Sequence, residues 1–466
     1  EAGTFQSSTG QWTCDTCTAG DYCEEGCSSP VECPAGSYCP AGTISATQYL
    51  CPAGTFSTAT SLTTGDDCTA CTEGSYCASA GLTAVSGQCA AGYFCPEGQS
   101  TSTPVATICP AGHYCEAGSV TEVACPAGTF RSATGGKSVD ECSACTAGHF
   151  CGTAGMDSVG AECSEGYFCL SGSSVSNPTD TTHGNKCSAG YMCPAGSSAM
   201  TNCPAGTYQD SDTQGECLTC PEGHFCLSTC TDYSVNTCPQ GYYCPAGTTS
   251  STANPCPPGT FGATGSLTEE DDCTACSAGS YCATYGLSAV SGNCSEGYYC
   301  TLSATTSTPS SVLEGGGRCT PGNYCPEHSS VETPCDAGKY CPSSELAAAT
   351  LDCAAGSVCV SGASVSTPSD STGSTCPAGH YCPAGCTSEQ KCAAGTYNPN
   401  TGGTSSDACR DCDAGSYCSG EGLSAVSGDC QQGYSCPAGS SVANPVATVC
   451  PVGHMCPTGS EEPTVC

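Results

Sequence analysis

From Cys51 the gaps between successive cysteines run 16, 2, 5, 11, 5, 13, 5 and 9 residues to Cys125, and from Cys392 the same series runs to Cys466. The stretches from Cys125 and Cys256 open 16, 2, 5, 11, 5 and then lengthen a single gap, to 17 and 18. A chain whose cysteines keep register in this way is a repeat protein. No long run of Leu, Ile, Val and Phe with helical or strand period accompanies the repeat, so covalent staples have to replace a large apolar core. With 53 cysteines in 466 residues, about 11%, the composition is that of a disulfide scaffold. The expected fold is a set of small disulfide-rich repeats in an elongated, solenoid-like rod of short β-hairpins and loops, with almost no helix.

Five segments open alike: "CPAGTF" at Cys51 and Cys125, "CPAGTY" at Cys203, "CPPGTF" at Cys256 and "CAAGTY" at Cys392. They divide the chain into seven units. Residues 1–50 form a short unit lacking its first cysteine, 51–124 and 125–202 long units, and 203–255 a short unit. Residues 256–334 form a long unit and 335–391 a divergent short unit without the AGT[FY] opening or a CxxC. Residues 392–466 form a long unit that ends on the first cysteine of a further one. The opening "EAGTF" lacks a cysteine that would stand just before Glu1, and Cys466 stands where the next opening begins. Either the stretch is cut from a longer array, or Cys466 of one copy meets Cys14 of another.

Six CxxC pairs occur, Cys14/Cys17, Cys68/Cys71, Cys142/Cys145, Cys217/Cys220, Cys273/Cys276 and Cys409/Cys412. A zinc site needs four thiolate or imidazole ligands without competition, and a redox dithiol needs a helix N-terminus in a thioredoxin-like setting. Neither context surrounds these pairs, so they read as structural disulfides whose two members enter different loops. The first member closes backwards, giving Cys51–Cys68, Cys125–Cys142, Cys203–Cys217, Cys256–Cys273 and Cys392–Cys409, each worth about 3 kcal/mol for a loop near 15 residues. The second joins the set Cys71, Cys77, Cys89, Cys95, Cys109 and Cys115, for which 15 pairings stay open. Because 53 is odd, at least one thiol is free or pairs outside the chain. Cys14 and Cys466 are the candidates for outside partners, and Cys27, Cys230 and Cys386 for unusual pairing.

Within each unit recurs the word C-x-x-G-x-[aromatic]-C, as in "CPAGHYC" at Cys109–Cys115. Pro and Gly make it a turn, and the aromatic (Tyr76, Tyr114, Phe150, Tyr243 or Tyr381) is expected to pack as core on a disulfide or on the adjoining unit. His113, His149, His224, His380 and His454 share one slot that Ser75, Asn323 or Lys339 fill elsewhere. That tolerance reads as a solvent-facing turn position.

The net charge of −36, from 43 acidic and 7 basic residues, excludes a phosphate-binding surface for nucleic acid and disfavours anionic membranes. It reads as solubility through self-repulsion. Weak Ca²⁺ binding at acidic turns such as Thr268-Glu269-Glu270-Asp271-Asp272 is the sharper alternative, without any EF-hand loop, and no other cofactor is expected. No GxSxG elbow, GxGxxG or P-loop opens a helix, and an enzyme is not expected. So many paired cysteines place the chain outside the cell, and no apolar run of 18 residues could insert into a membrane. Asn293-Cys294-Ser295 is an N-glycosylation sequon, whereas Pro follows Asn177, Asn254 and Asn444. Ser/Thr-Pro stretches such as Thr306 to Ser311 suit O-glycans, so attached glycans are expected.

The pattern C-x-x-G-[ST]-[YF]…C-x-x-C at Cys51–Cys71, Cys125–Cys145, Cys256–Cys276 and Cys392–Cys412 resembles the ephrin-receptor-like, EGF-like cysteine-rich repeats. It is similar, more loosely, to tumour-necrosis-factor-receptor cysteine-rich domains, and it has the look of large protist surface proteins. The resemblance covers nearly the whole chain and implies elongated rods of small disulfide-linked modules. The expected role is structural: a surface coat or filament, such as a flagellar hair or glycocalyx fibre, built by head-to-tail self-association. The alternative is a receptor or adhesion ectodomain that binds a protein through the divergent unit, residues 335–391.

Overall fold

The computed structural model describes residues 1–466. Helix is confined to single 3-10 turns, and every sheet has only two strands. The cysteine word explains why. In Cys109–Cys115 the turn closes through the His113 N–H donating to the Pro110 carbonyl at 3.2 Å. Gly112 then takes φ +81°, a left-handed conformation that a side chain disfavours. His113–Tyr114 runs antiparallel to Val123–Ala124, and the turn brings the Cα atoms of Cys109 and Cys115 within 5.9 Å, where they form a disulfide. Two strands of two residues have no stability of their own, so the staple and the neighbouring turns hold the conformation.

Each such turn is a rung, and a backbone ladder joins it to the next. Gly112 donates its N–H to the Arg131 carbonyl at 2.8 Å and accepts at its own carbonyl from Cys125 N–H at 2.9 Å. The preceding turn glycine, Gly92, does the same with Cys115 and Cys109. A second set of bonds reaches further. After each word the chain turns back at a return residue, whose N–H donates to the first cysteine of the rung before. Gly118 bonds to Cys89, and Gly135 to Cys109. The turn glycines recur between 16 residues (Gly20 to Gly36) and 25 residues (Gly297 to Gly322) apart. The structural repeat is therefore finer than the seven units read from the sequence, each of which holds three or four rungs.

Contacts divide the chain into two compact units. The first, Glu1–Cys220 with Cys226–Tyr233, carries the ladder from Gly3, bonded to Cys23, to Gly206, bonded to Cys226. The second, Pro221–Phe225 with Ser234–Cys466, carries it from Gly223, bonded to Cys244, to Gly433, bonded to Cys456. Residues 335–391 keep the same ladder: Cys335 donates to Gly322, Gly338 to Cys359, and Cys376 to Gly356. The unit that is divergent in sequence is regular in backbone.

The buried hydrophobic residues are almost all cysteines. The structure contains 24 disulfides. All five unit-opening pairs, Cys51–Cys68, Cys125–Cys142, Cys203–Cys217, Cys256–Cys273 and Cys392–Cys409, are formed. Among the pairings that spacing leaves open, the structure selects the most local: Cys71–Cys77, Cys89–Cys95 and Cys109–Cys115, each six positions apart. Aromatic side chains cover the staple of the following rung. Tyr340 lies on Cys353 and Cys359, and Tyr397 clusters with Cys412 and Cys418. Tyr76, Tyr114, Phe150, Tyr243 and Tyr381 are only half-buried, so they cover a staple with part of the ring and are not fully enclosed core residues.

Candidate functional site

Where the sequence suggests chemistry, the structure places stacking. Both members of the Cys68/Cys71 junction are in disulfides, with Cys51 and with Cys77, and the same division holds at Cys142/Cys145, Cys217/Cys220, Cys273/Cys276 and Cys409/Cys412. Cys17 pairs with Cys23, which leaves Cys14 as an exposed thiol. No group of three or more His, Cys, Asp or Glu side chains stands in metal-binding geometry. The acidic turn 268–272 is used internally. Asp272 accepts from the N–H groups of Thr268 and Glu269 and from the Thr268 hydroxyl at 2.8, 3.1 and 2.9 Å, so it caps the 3-10 turn Glu270–Asp272. These bonds, the Thr268 N–H first, hold its carboxyl below the usual range. Asp67 does the same for Gly65–Asp67.

The histidine slot is not simply solvent-facing. His113 and His380 are half-buried, with Nδ1 at 3.1 Å from the carbonyls of Ala111 and Ala378. Their rings lie over the return glycines Gly155 and Gly422 of a later rung. The slot tolerates Ser, Asn or Lys because only part of the side chain is covered.

The cysteines added in the short units also have a structural explanation. Cys27, Cys230 and Cys386 follow the return residues Gly26, Thr229 and Gly385. Other rungs place Ser119 or Ser329 there, whose hydroxyls donate to the carbonyls three residues back at 2.8 and 2.6 Å. The Cys27 and Cys386 thiols likewise donate to backbone, to the Ser29 and Ser388 carbonyls at 2.7 Å. Cys230 is buried beside the Cys220–Cys226 staple. Aligning the rungs with each other reveals this slot; counting cysteines does not.

The most consequential surfaces are the faces of the rungs. Inside the ladder a turn glycine has no room: a Cβ on Gly112 would stand 2.2 Å from the Gly155 carbonyl oxygen. At Gly433 and Gly453 nothing lies within 4 Å of that position. A cavity of about 380 Å³ opens there, lined by Gly433, Cys450, His454, Met455 and Cys456. A second, of about 180 Å³, opens beside Glu1, Phe5, Gln6, Cys14 and Cys27. Cys466, exposed, donates its N–H to the Gly453 carbonyl at 3.1 Å, as Cys450 does to Gly433. It thus holds the first-cysteine slot of a rung. Cys14 holds the slot of Cys217, whose partner Cys203 is a first cysteine 14 positions earlier.

No helix of the chain is long and apolar enough to cross a membrane. No protein-family model matches the chain, and no curated protein matches it.

Proposed function

We propose that the chain is an extracellular structural protein, a building block of a surface coat or filament that grows by rung-on-rung, head-to-tail stacking. The observation that carries this reading is the ladder. Every rung presents a donor and an acceptor forward and the complementary pair backward, as Gly112 does to Arg131 and Cys125. Such a contact is heterologous, the kind that builds an open filament where its rotation does not close into a ring. Cys466 holds a first-cysteine slot and Cys14 the slot of Cys217, so the two match as Cys203 and Cys217 do in the step from Gly190 to Gly206, whether the adjoining rung belongs to the same polypeptide or to another copy. The abundance of disulfides supports an oxidising, extracellular setting, and the acidic, Ser/Thr-rich surface suits a hydrated coat.

Electron microscopy of native material tests this directly: long fibres are expected, and isolated short particles at all concentrations would sink the reading. In the fibres, alkylation should reach Cys14 and Cys466 only after reduction. A receptor built on one unlike unit is not favoured by residues 335–391, which repeat the common backbone.

A further inference from the structure

Asn293 stands immediately before the first cysteine of its rung, a slot held elsewhere by Gln88, Glu162, Lys186, Asp352, Asp411 and Asp429. All of these are exposed, as is Asn293. A large substituent at this slot therefore meets solvent. The Asn293 side chain makes one bond, from Nδ2 to Glu327 Oε1 at 3.2 Å. The backbone after it is fully committed. Cys294 is buried, bonded to Cys300, and donates its N–H to Gly279 at 2.8 Å. Ser295 donates its N–H to the Ser307 carbonyl at 2.9 Å.

An asparagine amide is a poor nucleophile. Glycosyl transfer to it requires the sequon to leave the extended form, so that the Asn side chain turns back toward the backbone and hydroxyl two residues on, as in an Asx turn. In the folded rung the Ser295 N–H is already taken and Cys294 is stapled, so the turn cannot form.

We propose that Asn293 carries an N-linked glycan that is added before its rung closes, in competition with formation of Cys294–Cys300. Nδ2 attacks the anomeric carbon of a polyprenyl-diphosphate-linked oligosaccharide. An N–C bond forms, the bond from that carbon to the diphosphate oxygen breaks, polyprenyl diphosphate leaves, and the Nδ2 proton passes to a base of the transferase. The folded chain keeps the glycan because the slot points outward. Sequons with an uncommitted middle residue face no such race; here the middle residue is itself half of the staple, and its partner lies only six positions away.

The test expresses the full chain in a eukaryotic secretory host and measures occupancy at Asn293 by enzymatic deglycosylation in ¹⁸O water. Partial occupancy is expected. Cys300→Ser, which leaves the sequon intact and removes the competing closure, should raise the occupied-to-unoccupied ratio at least threefold. Asn293→Gln should lose the glycan and keep the disulfide map. As a measurement independent of that variant's folding, microsomes should glycosylate the reduced wild-type chain at least tenfold better than the oxidised one. An unmodified Asn293 in both the wild type and Cys300→Ser overturns the site. Complete occupancy in the wild type, or equal transfer to reduced and oxidised chains, overturns the competition.

Discussion

Gly112→Ala and Gly98→Ala make the same chemical change at the same φ of +81°, yet should differ sharply in cost. Both pay for a Cβ in the left-handed region, about 1–2 kcal/mol. The chain itself accepts that cost at return positions: Ser61, Thr213, Thr229, Ser266, Ser303, His328 and Glu345 all have positive φ there. Gly98 is a return residue with nothing within 4 Å of the new methyl. Gly112 is a turn residue, and its methyl would stand 2.2 Å from the carbonyl oxygen and 2.8 Å from the carbonyl carbon of Gly155. Backbone cannot rotate away as a side chain can, so the rungs must part, adding about 1–3 kcal/mol of overpacking. Repeat stacks open locally, so a single global unfolding energy is the wrong readout. Hydrogen exchange at the Cys125 amide, which donates to the Gly112 carbonyl, reports the local step. At about 1.4 kcal/mol per tenfold, Gly112→Ala should speed that exchange roughly 5- to 140-fold more than Gly98→Ala speeds exchange at its own N–H. Equal acceleration by the two variants would falsify the close-approach argument.

Other consequences are simpler to check. Cys51→Ser should remove about 3 kcal/mol of loop-closure stabilisation while peptide mapping still finds Cys71–Cys77, because that staple closes on its own turn. Lowering the pH should loosen the turn Gly65–Asp67. The Asp67 carboxyl is held low chiefly by the Thr64 N–H, so its contribution is complete above the ordinary carboxylate pKa of about 4 and is lost as pH falls through the depressed folded value. The Thr64 amide shift should follow that titration in the wild type and stay flat in Asp67→Asn. Tyr397→Ala should cost about 3 kcal/mol locally, since the ring is buried on Cys412 and Cys418 and its hydroxyl donates to Asp413 at 3.0 Å; Tyr397→Phe should cost far less, both read by hydrogen exchange at the Cys412 amide, which donates to the Gly395 carbonyl. Under native conditions Cys386, buried beside the Cys376–Cys382 staple, should resist alkylation that exposed thiols accept.

The opening pairs such as Cys51–Cys68 were legible because each of these five CxxC junctions has a cysteine 14 or 17 positions upstream with no other cysteine between them. The pairs Cys71–Cys77 and Cys89–Cys95 were not, because gaps alone treat six cysteines as interchangeable. What distinguishes them is the turn between: a glycine in the left-handed region brings the ends of a seven-residue word to bonding distance, a property of backbone angle and not of spacing. The fine repeat was hidden for a related reason. The loops between words vary in length, so only the longer period of the openings keeps register, whereas the ladder depends on the turns and ignores loop length. The histidine slot was misread because variability within the chain measures tolerance; His113 shows that a tolerant position can still be half-covered.

The locality of the staples has a mechanical consequence. None spans more than 17 positions, and none fastens one turn glycine's rung to a distant one. Under tension the covalent loops keep their six-position words from lengthening, and the five unit-opening staples hold their own stretches; elsewhere the load between words falls on non-covalent contacts, chiefly the main-chain hydrogen bonds of the ladder. Pulling Cys77 away from Cys89 can pay out only about 40 Å before the next loop takes the strain. A chain built this way yields in short steps, each as long as the loop between its words, and the staples keep the residues of every word close enough to re-form the step.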